Sequence, residues 1–263
     1  MNPILENTLQ YTHIQFYMVS HFLTFGYAAM ACGLLYFGFT AFMMKPKNRL
    51  GNILSMVVMV SAYLILKEQS DGWLGSFTKN DAGMWVSNNA MDFSNAYRYL
   101  NWLIDVPVLL TILLIGLGMG STPDFMKRWK TFTVCGVLMI ITGYIGQFEQ
   151  LGNTTMWYVW FGISTAFYIV ILAQAKSVIN EAAESVPAKV KDTTKSLFWI
   201  FLVFWNLYLV AYLMPAIMPN AWGVVWKQGL YTVADVGSKV IYGIILTHIT
   251  FAIDASDDSN ATS

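Results

Sequence analysis

The chain has 263 residues, 56% hydrophobic and only 11% charged, and its 15 basic and 15 acidic residues balance to a formal net charge of zero. Soluble domains carry about 25% charged residues, so the composition excludes an ordinary soluble domain in favour of an integral membrane protein, and the charge balance suits no nucleic-acid partner. Cys32 and Cys135 lie inside apolar runs and read as buried small residues rather than a disulfide. There is no zinc-type Cys/His spacing, and no basic n-region marks a cleavable signal peptide.

Seven apolar stretches reach or approach the ~20 residues a helix needs to cross a bilayer. They run approximately over 14–43, 51–69, 93–119, 128–149, 152–177, 194–217 and 223–252. The expected fold is an all-α membrane protein, one seven-transmembrane-helix bundle over 1–263, solvated by the lipid bilayer as a multi-pass protein of the cell (plasma or inner) membrane. Polar interruptions such as Ser20, Ser55, Ser61, Asn101, Thr142, Ser164 and Asn206 fit helices packed round a polar interior. The link between the second and third spans, roughly 70–92, is rich in Gly, Ser, Asn, Thr and Asp and is expected to fold back as a hairpin or ordered loop. Basic residues orient the bundle. Lys45, Lys47, Arg49, Lys127, Arg128, Lys130, Lys176, Lys189, Lys191 and Lys195 fall on one side, which places the N-terminus and that hairpin outside the cell.

The third span carries Arg98, Asn101 and Asp105, whose spacings put them on one helix face, and Pro107 follows one turn on. The last span carries Asp235 and, four residues later, Lys239. A charge inside the bilayer costs at least a few kcal/mol, so such a lysine points to function by default. Its free amine can form a Schiff base with a carbonyl compound. Asp105 is a second carboxylate on a second helix and needs a cation, for which Lys239 is the obvious candidate. A purely structural ion pair is the plain alternative, but buried pairs are poor stabilisers. Trp102, Trp205, Tyr208 and Tyr212 taken alone are ordinary core; beside this lysine and these carboxylates they are candidates to line a flat apolar cavity.

Several segments carry a family likeness: Gly51-Asn52-Ile53-Leu54-Ser55, Tyr97-Arg98-Tyr99-Leu100-Asn101-Trp102-Leu103-Ile104-Asp105-Val106-Pro107, Ile141-Thr142-Gly143-Tyr144-Ile145-Gly146-Gln147-Phe148, Ala211-Tyr212-Leu213-Met214-Pro215, and Asp235 to Ser238-Lys239-Val240-Ile241-Tyr242-Gly243. With them the chain resembles the microbial (type 1) rhodopsins over nearly its whole length, most closely the light-driven sodium-pumping branch. The resemblance implies an ion transporter rather than an enzyme. It implies all-trans retinal bound to Lys239 as a protonated Schiff base, Asp105 as main counterion and proton acceptor, and Asp235 as the second carboxylate. The pocket would be formed by Trp102, Met139, Gly143, Ser164, Trp205, Tyr208 and Tyr212. Arg98 would separate the central cavity from the extracellular exit, and Ser61 would hydrogen-bond near Asp105.

The pairing of Asn101 with Asp105 is that of the sodium pumps. It implies outward Na⁺ transport, with the ion held transiently by Asn101 and Asp235, uptake past Asn52 and Ser55, and proton transport when Na⁺ is absent. A proton-only pump and a slow-cycling photosensor are the alternatives, and a seven-helix receptor or transporter without retinal is the plain one. Departures from the family pattern are Ile112 in place of a Gln, Thr247 in place of a Gly at the uptake mouth, Leu209 in place of a Pro beside the retinal ring, and Gln150 in place of an acid, for which Glu149 and Lys227 would substitute. Phe161 stands where relatives with an exposed ring have Gly, so no carotenoid antenna is expected. The family commonly forms pentamers, and His21 matches an interface position there.

Overall fold

The computed structural model describes residues 4–88 and 91–261. Among the described residues, seven helices are long and apolar enough to cross a membrane. A single turn, α1 (Leu5–Thr8), precedes α2 (His13–Met43), α3 (Leu50–Ser76), α4 (Ala96–Gly116), α5 (Phe125–Gln147), α6 (Thr154–Ser185) and α7 (Lys191–Ile217). The seventh crossing starts as α8 (Ala221–Asp235), passes without a break through a π-helical segment, Val236–Ile241, and ends as α9 (Tyr242–Ala261). Each helix packs against the next, and α8 closes the ring on α2. An odd number of crossings puts α1 on one face, here the N-terminal face, and the end of α9 on the other.

Local chemistry fixes the helix starts. Thr12 and Gln15 form a reciprocal capping box at α2. The side chain of Asn220 accepts from the backbone of Trp222 and Gly223 at the start of α8. After α4, Gly118 takes the left-handed φ of +74° that a helix stop favours. Pro107 and Pro215 lie inside α4 and α7 without ending them, as membrane bundles tolerate.

The spans match the sequence expectation in number and order but differ at their ends. The second runs to Ser76 instead of 69 because Lys67 and Asp71, which interrupt its apolar run, pair one turn apart on the same helix. The fifth runs to Ser185 instead of 177, and the seventh to Ala261 instead of 252. In both, the helix outlasts its apolar stretch. The expected hairpin is present: β1 (Phe77–Lys79) pairs antiparallel with β2 (Trp85–Ser87), and Tyr11 bridges to Trp85. Residues 89 and 90 of that link lie outside the described residues. Tyr11, Phe16, Trp73, Phe77 and Phe93 pack beneath the hairpin and lock α1 over the bundle mouth.

Large apolar side chains such as Leu35, Phe39, Phe42 and Trp199 face outward, while Arg98, Asp105, Asp235 and Lys239 are buried. That inversion is what a bilayer solvent requires. Cys32 does not fit the expectation of a buried residue: it is exposed, Cys135 is half-buried, and both are free thiols. In a membrane helix lipid-facing and core-facing positions are both apolar, so an apolar run cannot separate them.

Candidate functional site

Asp235 ends the α-helical part of the last crossing, and Lys239 lies inside the π segment. Lys239 Nζ donates to Asp235 Oδ1. Three further donors converge on the same carboxylate: Arg98 Nη1 at 2.7 Å, Trp102 Nε1 at 3.0 Å and Tyr208 Oη at 2.8 Å. Asp105 is differently placed. It is fully buried and 3.9 Å from Lys239 Nζ, and neither of its oxygens has a hydrogen-bond partner among the described residues. Lys239 therefore serves both carboxylates, with its hydrogen bond going to Asp235, one turn away on its own strand of helix, rather than to Asp105 across the bundle.

Asn101, one turn before Asp105, donates to Ser61 Oγ of α3 at 2.8 Å, and both side chains lie beside the Asp105 carboxylate. Arg98 stands one turn nearer the N-terminal face. It reaches Gln228 Oε1 and Thr232 Oγ1, each at 3.4 Å, and lies 5.4 Å over the Tyr231 ring. The polar line predicted along α4 is thus assembled, with Arg98 bound to Asp235.

From Lys239 a cavity with about 730 Å³ of atom-free space extends between α4, α5, α6 and α7. Every expected pocket residue lines it: Trp102 from α4, Met139 and Gly143 from α5, Ser164 from α6, and Trp205, Tyr208 and Tyr212 from α7. Trp102 meets Tyr208 edge-on at 5.0 Å, and Phe161 stacks on Tyr212 at 5.4 Å. A Cβ at Gly143 would come within 3.1 Å of the Tyr99 ring, so the glycine keeps that wall open. Leu209 lines the cavity, as do Tyr99, Tyr168 and Ser238, which the sequence did not single out because aromatic and small residues on apolar helices are indistinguishable from core. A largely apolar slot with an amine at one end and two carboxylates beside it fits a polyene aldehyde joined to that amine. The two donorless Asp105 oxygens, unusual for buried polar atoms, fit a cationic nitrogen displaced toward them.

Toward the C-terminal face the site is closed. Asn52 donates to Thr40 Oγ1 at 2.7 Å and accepts from Thr247 Oγ1 at 3.1 Å. Ser55 donates to the Gly51 carbonyl at 3.0 Å, and Ile112 is buried in the apolar core. Asn52 and Ser55 are both buried rather than lining an open mouth.

Toward the N-terminal face the sequence expectation needs correction. The carboxylate that partners Lys227 is Glu6 of α1, at 2.8 Å, and not Glu149. Glu6 accepts from Asn95 at 2.6 Å, and Gln228 donates to Asn95 Oδ1 at 2.8 Å. Burial alone would raise the Glu6 carboxyl; the Lys227 ammonium outweighs it and holds the group below its ordinary value. Nothing near Gln150 in sequence announces Glu6, because α1 lies outside every span and folds back over the bundle. His21 is exposed on the outer face of α2.

Comparison with known proteins places this geometry. The chain is 28% identical over 169 residues to bacteriorhodopsin-I of Haloarcula marismortui, covering 63% of this chain and 66% of that protein. It is 24% identical over 190 residues to a green-light absorbing proteorhodopsin of a gamma-proteobacterium, covering 68% of each. The alignments thus span about two thirds of these relatives' own length. Among solved structures, a thermophilic rhodopsin superposes with a TM-score of 0.87 at 22% identity, over 95% of this chain and 99% of that one. Xanthorhodopsin, described as a light-driven ion pump with dual chromophore, gives 0.86 at 24% over the same shares. The bacteriorhodopsin-like protein family matches residues 17–253. A seven-helix membrane bundle with a buried lysine facing two carboxylates and a family match across nine-tenths of its length is a microbial, type 1 rhodopsin: the chain belongs to the bacteriorhodopsin-like family, for which retinal is the chromophore.

Proposed function

We propose that the chain is a light-driven outward sodium-ion pump that carries protons when Na⁺ is absent. The observation that supports it is the contrast between the two carboxylates at Lys239: four donors converge on Asp235, none on Asp105, and Asn101 stands on the Asp105 face. Retinal joined to Lys239 supplies light absorption, isomerisation and a mobile proton. Asp105, lacking donors and 3.9 Å from the lysine nitrogen, is the group placed to accept that proton. Asp235 stays bound to Arg98, Trp102 and Tyr208 and keeps its charge. With Asp105 neutral, the positive barrier beside the path is gone, and a cation can pass from the C-terminal face. Asn101 and Asp235 oxygens are the hard ligands that would hold Na⁺ in transit. Return of the proton from Asp105 restores the barrier behind it. The basic residues in and beside the α2–α3, α4–α5 and α6–α7 links support a cytoplasmic C-terminal face, and with it outward transport.

Uptake on this reading requires the Asn52–Thr40–Thr247 contacts to open and Na⁺ to pass the apolar Ile112. That same closed, apolar half favours a second reading, a proton-only pump with Asp105 as acceptor. Illumination of retinal-supplied cells in NaCl separates the two. Alkalinisation of the medium, enhanced by a protonophore, is expected for Na⁺ export; acidification abolished by the protonophore would mean proton export. We also propose, from the exposed His21 on α2, that the protein assembles as a homo-oligomer, a pentamer by family likeness, and, from Phe161 stacked on Tyr212 at the cavity wall, that it carries no carotenoid.

A further inference from the structure

On the N-terminal side of the Lys239 cavity lies a second, smaller chamber with about 200 Å³ of atom-free space. Tyr99, Tyr212 and Tyr231 form the partition, lining both spaces. Trp157 of α6 and Asn95 complete the wall with three long polar side chains: Gln147 at the end of α5, Gln150 in the α5–α6 link and Lys227 of α8. Their relative exposures are 7%, 7% and 6%, so all three are more than nine-tenths buried.

Two donors of the chamber wall are unmet. Gln147 Nε2 and Gln150 Nε2 have no hydrogen-bond partner among the described residues. The Gln150 amide is oriented by Lys227, whose Nζ donates to its Oε1 at 3.4 Å, so its nitrogen points elsewhere. Of the carboxamide oxygens on the wall, Asn95 Oδ1 already takes Gln69 at 3.2 Å and Gln228 at 2.8 Å. Leaving a buried donor unmade costs about 1–3 kcal/mol, and here two face one small space beside an ammonium. Glu6, which contacts Lys227, does not line the chamber.

We propose that this chamber binds a small monovalent anion of the halide class, held by the Gln147 and Gln150 amide nitrogens and the Lys227 ammonium. A halide accepts from all three donors; Lys227 keeps Glu6 as its carboxylate partner, so the anion is held chiefly by the two unmet amides. The site is separate from the carboxylate pair and does not depend on which cation is transported. Because only three tyrosines separate it from the chromophore cavity, its occupancy alters the field on the chromophore and is readable as a shift of the visible band.

The test uses the retinal-bound protein at constant Na⁺, with gluconate replaced stepwise by bromide, and reads the visible band and the halide NMR line width, together with bromide anomalous scattering from crystals. Wild type is expected to give a saturable band shift, a broadened halide line and a bromide peak between Gln147, Gln150 and Lys227. Gln150→Glu places a carboxylate on the wall at nearly the same volume and is expected to weaken bromide by at least about tenfold, equivalent to about 1.4 kcal/mol, while the visible band persists. Gln147→Met, which deletes one donor, is expected to weaken it in the same sense. Indifference of wild type to bromide, with a water between the two amides, would overturn the proposal, as would an equal response in wild type and both variants, the signature of surface screening.

Discussion

Two carboxylates flank one lysine, and their surroundings divide the labour between them. Asp235 collects Lys239, Arg98, Trp102 and Tyr208, whereas Asp105 collects no donor. Lys239→Ala is expected to leave a folded protein that forms no visible band with retinal. Asp105→Asn should keep a band but lower the light-driven transport rate by about 100-fold or more, the scale of losing a positioned proton acceptor; transport surviving at near wild-type rate would remove Asp105 from that role. The charged residues of this centre were legible in the chain because a charge in an apolar run cannot be hidden. Glu6 was not, because an acid in a polar N-terminal stretch looks solvated until α1 is seen folded over the bundle.

Among the elements, the π segment and α1 are the two that hydropathy does not reveal. At Gly237 the π segment approaches α7 so closely that an added Cβ would overlap the Phe204 ring. Gly237→Ala should therefore destabilise by about 1–3 kcal/mol, the usual overpacking penalty, with much of the loss recovered in the double variant with Phe204→Leu; thermal loss of the visible band measures both. For α1 the test is pH. The folded Glu6 carboxyl lies below its ordinary value, so its contribution is whole above the unfolded-chain value of about 4.3. As pH falls below that, the unfolded chain takes the proton first and stability declines until the folded carboxyl is protonated too. Wild type should lose thermal stability as pH falls through and below about 4.3, and Glu6→Gln should flatten that part of the profile. Helix ends were the least legible feature, because α3, α6 and α9 continue past the residues that a bilayer-length count admits.

At the scale of the molecule, number, order and ring closure of the crossings follow from seven apolar runs joined by short links, whereas which side of each helix meets lipid does not, as Cys32 shows. The orientation proposed from the basic links has a direct check in intact cells. A membrane-impermeant thiol reagent should label a cysteine placed at Asn80 in the hairpin and spare one at Lys189 in the α6–α7 link; the reverse pattern would turn the bundle over and make the transport inward. The π segment has a consequence of its own at this scale. It lies between the half of the crossing that carries Asp235 and the half that carries Thr247 and Asp254, with Lys239 inside it. Each residue of an α-helix turns the axis by about 100° and advances it 1.5 Å. Winding one residue of that wide turn into regular geometry would thus change the phase of everything beyond it, swinging Thr247 off Asn52 and Asp254 off the backbone of Lys45. The last crossing is a shaft with its torsional slack stored at Lys239, and its far end is geared to that point by angle as well as by distance.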